Sequence, residues 1–243
     1  MKPWHLRDPE GFEREKAEVE REHIYLHFSN KDDQIRIVGS LEIKEGDTDL
    51  DRYAIEIRLP LDYPDSVPSV FETGGRIPRI RGRHHYDDTG SACVLLPEER
   101  WRVWPKGSSL LKFIDIPVRN FFISQAVFER DGVWPLGQWE HGLYGQKQYY
   151  QEMFGSDDLP KVAKYLEYIA AKKMKGHWLC PCGSGKRVRD CHMQLIRDLR
   201  DKIPRNETLL AARRLEPALQ RLRQQCLDSA EHPQPGRIPA GSV

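Results

Sequence analysis

An α+β fold, a four-stranded antiparallel meander flanked by helices and followed by a helical arm, is predicted by three features. Short apolar runs with a period of two crowd into residues 23–72, helix-forming segments bracket them, and the links between runs are too short for crossover helices. The first helix is expected over residues 8–22, where Glu, Lys, Arg and Ala dominate and Pro9 stands near the start. Strands are expected at 23–28, 34–43 and 52–61. In the last, Tyr53, Ile55, Ile57 and Leu59 alternate with Ala54, Glu56 and Arg58, the pattern of a sheet buried on one face. The polar links SNKDD and KEGDTDLD suit hairpins. A proline-marked turn, YPDSVP at 63–68, leads to a short fourth strand, SVFE.

Residues 74–101 carry too many turn-forming residues for regular structure, and a loop of that length inside a compact domain is ordinarily functional. Helical signals resume at 107–129, with Ser108 or Ser109 as cap and Pro117 expected to kink or divide the helix. The segment WPLGQWEHGLYG then passes into helices at about 146–154 and 159–174, and two more fit 193–202 and 206–228. This predicts a first domain over 1–155, a basic helical extension over 156–228 and a disordered tail over 229–243.

At 243 residues, 39% hydrophobic and 31% charged, the chain has the composition of a globular protein with a core of its own. No apolar run approaches the roughly 20 residues of a membrane span, so no membrane partner is expected. The N-terminus lacks the apolar core of a secretory signal, so a cytoplasmic location is expected. The net charge of +1 hides an asymmetry: residues 1–160 carry 21 Lys+Arg against 29 Asp+Glu, residues 161–225 carry 16 against 6. An acidic body with a basic arm suggests two units with different partners. Nucleic acid is a conceivable partner for the arm, but no aromatic residue is interleaved with its charges between 179 and 243, and a protein partner is favoured.

Five cysteines, an odd number, argue against a disulfide framework. In HWLCPCGSGKRVRDCH, at 177–192, Cys180, Cys182, Cys191 and His192 are candidate ligands of one structural zinc ion. Two cysteines one residue apart converge on an ion only from a sharp turn, for which Gly183 and Gly185 supply backbone freedom and amides expected to face the thiolates. Three thiolates and an imidazole leave one net negative charge, offset by Lys186, Arg187 and Arg189. Four protein ligands leave no open position, so the ion is expected to hold structure rather than catalyse. Cys226 falls on the helical stripe Leu215, Leu219, Leu222 and reads as core filler. Cys93 sits in the long loop after His84, His85, Tyr86, Asp87, Asp88 and Gly90; a loop thiol beside imidazoles is a candidate nucleophile.

Two resemblances sharpen these readings. Residues 177–192, with their CGSGK core, closely resemble the SEC-C motif, a short zinc-binding element attached to many proteins. Residues 8–150 resemble the ubiquitin-conjugating enzymes, and in particular bacterial members of anti-phage and ubiquitin-like operons. The likeness rests on the helix and meander, on Tyr63, Pro64 and Pro68 before the fourth strand, on Gly90 and Cys93, and on Trp101 with Pro105. It implies that Cys93 accepts the activated C-terminus of a ubiquitin-like modifier as a thioester and passes it to an amine on a protein target. His84-His85-Tyr86 stands where that family has His-Pro-Asn, and no Asn occurs between Asn30 and Asn120, so oxyanion support must come from an imidazole, a backbone N–H or the Tyr86 hydroxyl; of the two histidines His85, nearer Cys93, is the candidate. No Gly-rich nucleotide loop occurs, so an activating-enzyme partner is implied. The alternative is a catalytically inactive module of the same fold that docks a partner through knuckle and arm.

Overall fold

The computed structural model describes residues 2–45, 48–85, 89–135 and 143–231. It is α+β, and the chain divides into two compact units, Met1–His141 and Gly142–Val243. That division falls ahead of the boundary expected at 155, because the helix at 143–154 groups with the arm.

The first unit opens with helices α1 (Trp4–Arg7) and α2 (Pro9–Glu22). Pro9 occupies the first turn of α2, where its missing N–H costs nothing, and the Asp8 carboxylate accepts the Gly11 amide at 3.0 Å. Four antiparallel strands follow in sequence order: β1 (Leu26–Lys31), β2 (Gln34–Glu45), β3 (Thr48–Arg58) and β4 (Ser69–Glu72). β1 begins three residues later than expected, because His23 closes α2 by donating to Val19 and a turn to Leu26 intervenes. β3 both starts and stops earlier than expected, and a register shift lies between Ile43 and Lys44.

The alternation behaves as the sequence implies. Ile35, Ile37, Leu41 and Ile43 of β2 and Tyr53, Ile55 and Ile57 of β3 are buried on one face. That face packs on α4 (Leu110–Phe113) and α5 (Arg119–Asp131) through Leu110, Phe113, Ile114, Val118 and Phe122. The opposite face carries Arg36 and Arg58, both bound to Glu56 at 2.9 Å. Ser109 caps α4 by accepting the Lys112 amide at 3.2 Å. Pro117 divides the helical segment into α4 and α5, as expected. A single π turn, Ile114–Val118, joins α4 to α5 and absorbs the residue that cannot donate.

The segment 74–101 is more ordered than its composition suggests. It holds tight helical turns at Arg81–Arg83 and Pro97–Glu99 and the short helix α3 (Arg100–Val103). Its start is tied to β4 by the buried Glu72 carboxylate, which accepts the amides of Gly74 (2.7 Å), Gly75 (3.0 Å) and Ile77 (3.4 Å). The YPDSVP turn is pinned from three sides. Arg7 donates to the Tyr63 carbonyl at 2.5 Å, Arg100 to the Pro64 carbonyl at 2.7 Å, and the Tyr63 hydroxyl to Glu15 at 3.1 Å. The Tyr63–Pro64 peptide is cis.

Glu15 also accepts the Leu110 amide at 2.8 Å, so one carboxylate joins α2, the turn and α4. Burial pushes its carboxyl above the usual range. Glu15→Ala leaves two donors without an acceptor and is expected to lower the unfolding free energy of this unit by about 1–3 kcal/mol. Glu15→Gln, which keeps an acceptor, costs less. Because the folded pKa is raised, ionisation of Glu15 weakens the fold as pH rises through it; Gln removes that slope. Denaturant melts of both variants at mildly acidic and neutral pH check the order and the slope.

The second unit contains α6 (Leu143–Phe154), α7 (Leu159–Ala170), α8 (Met193–Lys202) and α9 (Arg205–Glu231), with the cysteine-rich segment between α7 and α8. Leu159, Val162, Tyr165, Leu166 and Ile169 of α7 and Ala211, Leu215, Ala218 and Leu219 of α9 are buried. α7 ends at Ala170, short of the expected 174, because arginines take over its last carbonyls. Arg200 donates to Tyr168 (2.8 Å) and Ile169 (2.7 Å), and Arg205 to Ala170 (2.7 Å). α9 runs to Glu231, so residues 229–231 of the expected tail belong to a helix; the remainder of the tail lies outside the described residues. The expected stripe stays buried at Leu215 and Leu219 and emerges at Leu222, while the Cys226 side chain lies outside the described residues.

Candidate functional site

The cysteine-rich segment folds as a hairpin closed onto a helix. Leu179 and Arg187 form an antiparallel bridge, and the Cys180 amide donates to the Lys186 carbonyl at 2.8 Å. Gly183 (φ 84°) and Gly185 (φ 73°) make the turn between, in a backbone region that an L side chain disfavours. Val188 donates to Trp178 at 2.8 Å and opens a tight turn, Val188–Asp190, that delivers Cys191 and His192 to the start of α8.

Four ligand atoms, from Cys180, Cys182, Cys191 and His192, therefore converge, all within 4.8 Å of one another and close enough to bind one metal ion. His192 Nδ1 lies 3.2 Å from Cys180 Sγ and 3.1 Å from Cys191 Sγ, and Cys182 and Cys191 Sγ are 3.7 Å apart, as separate thiols. Cys180 is buried, Cys191 exposed.

Contrary to expectation, the Gly183 amide does not face a sulfur; it donates to the Cys180 carbonyl at 3.3 Å. Cys180 instead receives the amides of Cys182 and His192, and Cys182 that of Ser184. The Ser184 hydroxyl accepts the Lys186 amide at 3.3 Å, which leaves its own proton for the thiols. It holds the Cys182 thiol down, to about 6, while burial pushes Cys180 up, to about 11. A metal ion would have to displace the proton from Cys180. Arg189 pairs with Asp190 at 3.5 Å rather than standing free.

In the first unit Cys93 is half-buried in a backbone-paired stretch. Ala92 donates to Val70 of β4 at 2.7 Å and Cys93 to His84 at 2.8 Å, and His85 bridges Ala92. The sheet edge thus fixes the thiol's backbone. His84 adopts φ 55°, with its ring edge-on to Trp134 at 4.6 Å. His85 is buried, its ring edge-on to Phe121 at 5.7 Å and its Nδ1 2.8 Å from the Arg83 carbonyl. A carbonyl only accepts, so Nδ1 carries the proton and Nε2 is the bare nitrogen, buried with no partner. Burial lowers the pKa of this imidazole and keeps it neutral.

Trp101 lies on α3; the fully buried neighbour is Trp104, which donates to the Ser109 carbonyl at 3.0 Å and packs on Phe113. Glu98 and Glu99 are buried, Glu99 paired with Arg102. Tyr86, Asp87 and Asp88 lie outside the described residues. Among the described residues no helix is long and apolar enough to cross a membrane. Scans against protein-family models, curated proteins and solved structures each found no match to the chain.

Proposed function

We propose that the protein is a ubiquitin-conjugating-type transferase working through Cys93, with a zinc-stabilised knuckle on its arm that docks a partner. The observation that carries the reading is the setting of Cys93: a half-buried thiol whose amide is bonded to His84 and whose neighbour Ala92 is bonded to β4, the edge strand of a four-stranded meander. A nucleophile held this way approaches an acyl carbon without first being ordered.

The Cys93 thiolate attacks the carbonyl carbon of a modifier C-terminus held by an activating partner. The C–S bond forms and the partner's leaving group departs. An amine of the target then attacks the thioester, a C–N bond forms, Cys93 leaves as thiolate, and the amine proton passes to solvent or a nearby base. His85, neutral and with its one N–H given to Arg83, is poorly suited to donate to the oxyanion; its place in the reading is to brace the segment that carries Cys93. The setting in an anti-phage operon follows from the resemblance alone.

Zinc suits the knuckle. Three thiolates and an imidazole are a soft, tetrahedral donor set. Zn–S bonds of about 2.3 Å place sulfurs roughly 3.8 Å apart at tetrahedral angles, against 3.7 Å between Cys182 and Cys191. When bound, the ion supplies a fixed cross-link and no open position for chemistry.

The test of the transferase reading is incubation with ATP, a ubiquitin-like modifier and its adenylating enzyme. Wild type is expected to form a covalent adduct that thiol reductant removes, Cys93→Ser a reductant-resistant oxyester, and Cys93→Ala none. Equal behaviour of wild type and Cys93→Ala would leave a binding module.

A further inference from the structure

The metal cluster has a neighbour that the ligand spacing does not reveal. Tyr165 projects from α7 and is fully buried. It ends a stack of rings running Tyr150, Phe154, Tyr165, with near-parallel planes at 5.7 and 4.5 Å between centroids, and meets the His192 ring edge-on at 5.9 Å. The Tyr165 hydroxyl is buried with no well-formed hydrogen bond. Burial first, and then the nearby sulfurs of Cys180, Cys182 and Cys191, raise the pKa of its phenol, with Cys180 as the acceptor within its reach. A buried phenol without a partner is costly, because it has given up its bond to water for nothing in return.

We infer that Tyr165 is a positioning residue of the metal centre, donating its hydroxyl proton to the Cys180 thiolate once the ion is bound. The inference rests on the metal reading above. The thiol of Cys180 offers the hydroxyl a weak acceptor, whereas a metal-bound thiolate offers an anionic one and makes the bond charge-assisted. The donor lowers electron density on that sulfur, and the ring stack holds the His192 imidazole in its plane. Tyr165 and Ser184 then serve two sulfurs, one from the helix before the knuckle and one from its turn. Partners of this kind orient ligands and typically carry 10- to 100-fold in metal affinity.

The test uses the full chain loaded with cobalt, whose sulfur-to-metal charge-transfer band reports the thiolates, and zinc affinity by chelator competition. Tyr165→Phe keeps the ring stack and all four ligands. It is expected to retain one ion per chain, bind zinc roughly 10- to 100-fold more weakly, and shift the charge-transfer band to lower energy. Phe154→Leu loosens the stack but leaves the hydroxyl, and is expected to lower stability with the band unmoved. A band and affinity in Tyr165→Phe equal to wild type overturns the inference, as does an equal shift in Phe154→Leu. If Tyr165→Phe does not fold, wild type loaded with NMR-active cadmium decides. A slowly exchanging phenol proton coupled to the metal is expected, and its absence overturns the assignment. Failure of wild type itself to take up an ion counts against the metal reading instead.

Discussion

Cys182→Ser, or removal of the metal by a chelator, is expected to unfold residues 177–192 and leave the meander of the first unit intact. The knuckle has little else to hold it. Its buried residues amount to Cys180, Pro181 and Val188, and fully burying a valine contributes about 1.5–3 kcal/mol. Fixing a backbone costs about 1–2 kcal/mol for every residue ordered. A structural zinc ordinarily contributes about 10–16 kcal/mol, so a bound ion would be the dominant favourable term. Hydrogen exchange reads the outcome directly. The amides of Cys180 and Val188, bonded to Lys186 and Trp178, should lose protection, while those of Ile37, Ile55 and Ile57 keep theirs. Acid should reach the same state, because protons compete with the ion for thiolates and the metal's contribution is lost as pH falls. Exposure of the sheet amides on chelation would contradict this division.

Gly39→Ala is expected to be the most damaging single substitution in the first unit. Gly39 lies within β2 at φ 144°, opposite Leu26 and Ile55. A Cβ there would stand 1.9 Å from the Tyr25 carbonyl oxygen and 3.0 Å from its carbon, both backbone atoms that the Ser40 amide holds in place at 3.1 Å. Either the β1–β2 pairing moves or the substitution is not accommodated, and a loss above about 4 kcal/mol is expected. Gly75→Ala is the control. It also has positive φ, 76°, but nothing within 4 Å of the added carbon, so only conformational strain of about 1–2 kcal/mol applies. Denaturant melts of the two variants separate steric exclusion from strain; equal effects would show that the close approach to Tyr25 carries no weight.

The strands were legible because burial on one face imposes a period of two, and Tyr53, Ile55, Ile57 and Leu59 keep it without a break. The metal ligands were legible because the turn that gathers them is local and written in adjacent residues. What escaped was set by contacts distant in sequence. The stop of α7 at Ala170 depends on Arg200 and Arg205, about thirty residues on, while Lys172 and Lys173 continue a helix-forming composition. The order within 74–101 depends on Glu72 turning its carboxylate onto three amides, which in sequence is one more charged residue beside a glycine pair. Pro117 signals an interruption and one is there, but its form, a π turn between two α-helical segments, is not written in the proline itself. Tyr165 sits on the apolar stripe of α7 with Val162, Leu166 and Ile169, so spacing alone reads it as core; the hydroxyl is the one signal that it is more.

His84 and His85 show the same limit at finer scale. Proximity in sequence favours His85 as the partner of Cys93, yet the Cys93 amide donates to the His84 carbonyl, and His85 is committed to Arg83 and Phe121. The thiol is therefore the reacting group on which the proposed function turns. Peptide mapping by mass spectrometry of the protein charged with modifier tests this most directly. The modifier's C-terminal mass should sit on the peptide containing Cys93, leave with thiol reductant, and be unaffected by removal of the metal. Its presence on Cys180, Cys182 or Cys191 instead, or on no cysteine at all, would contradict the account.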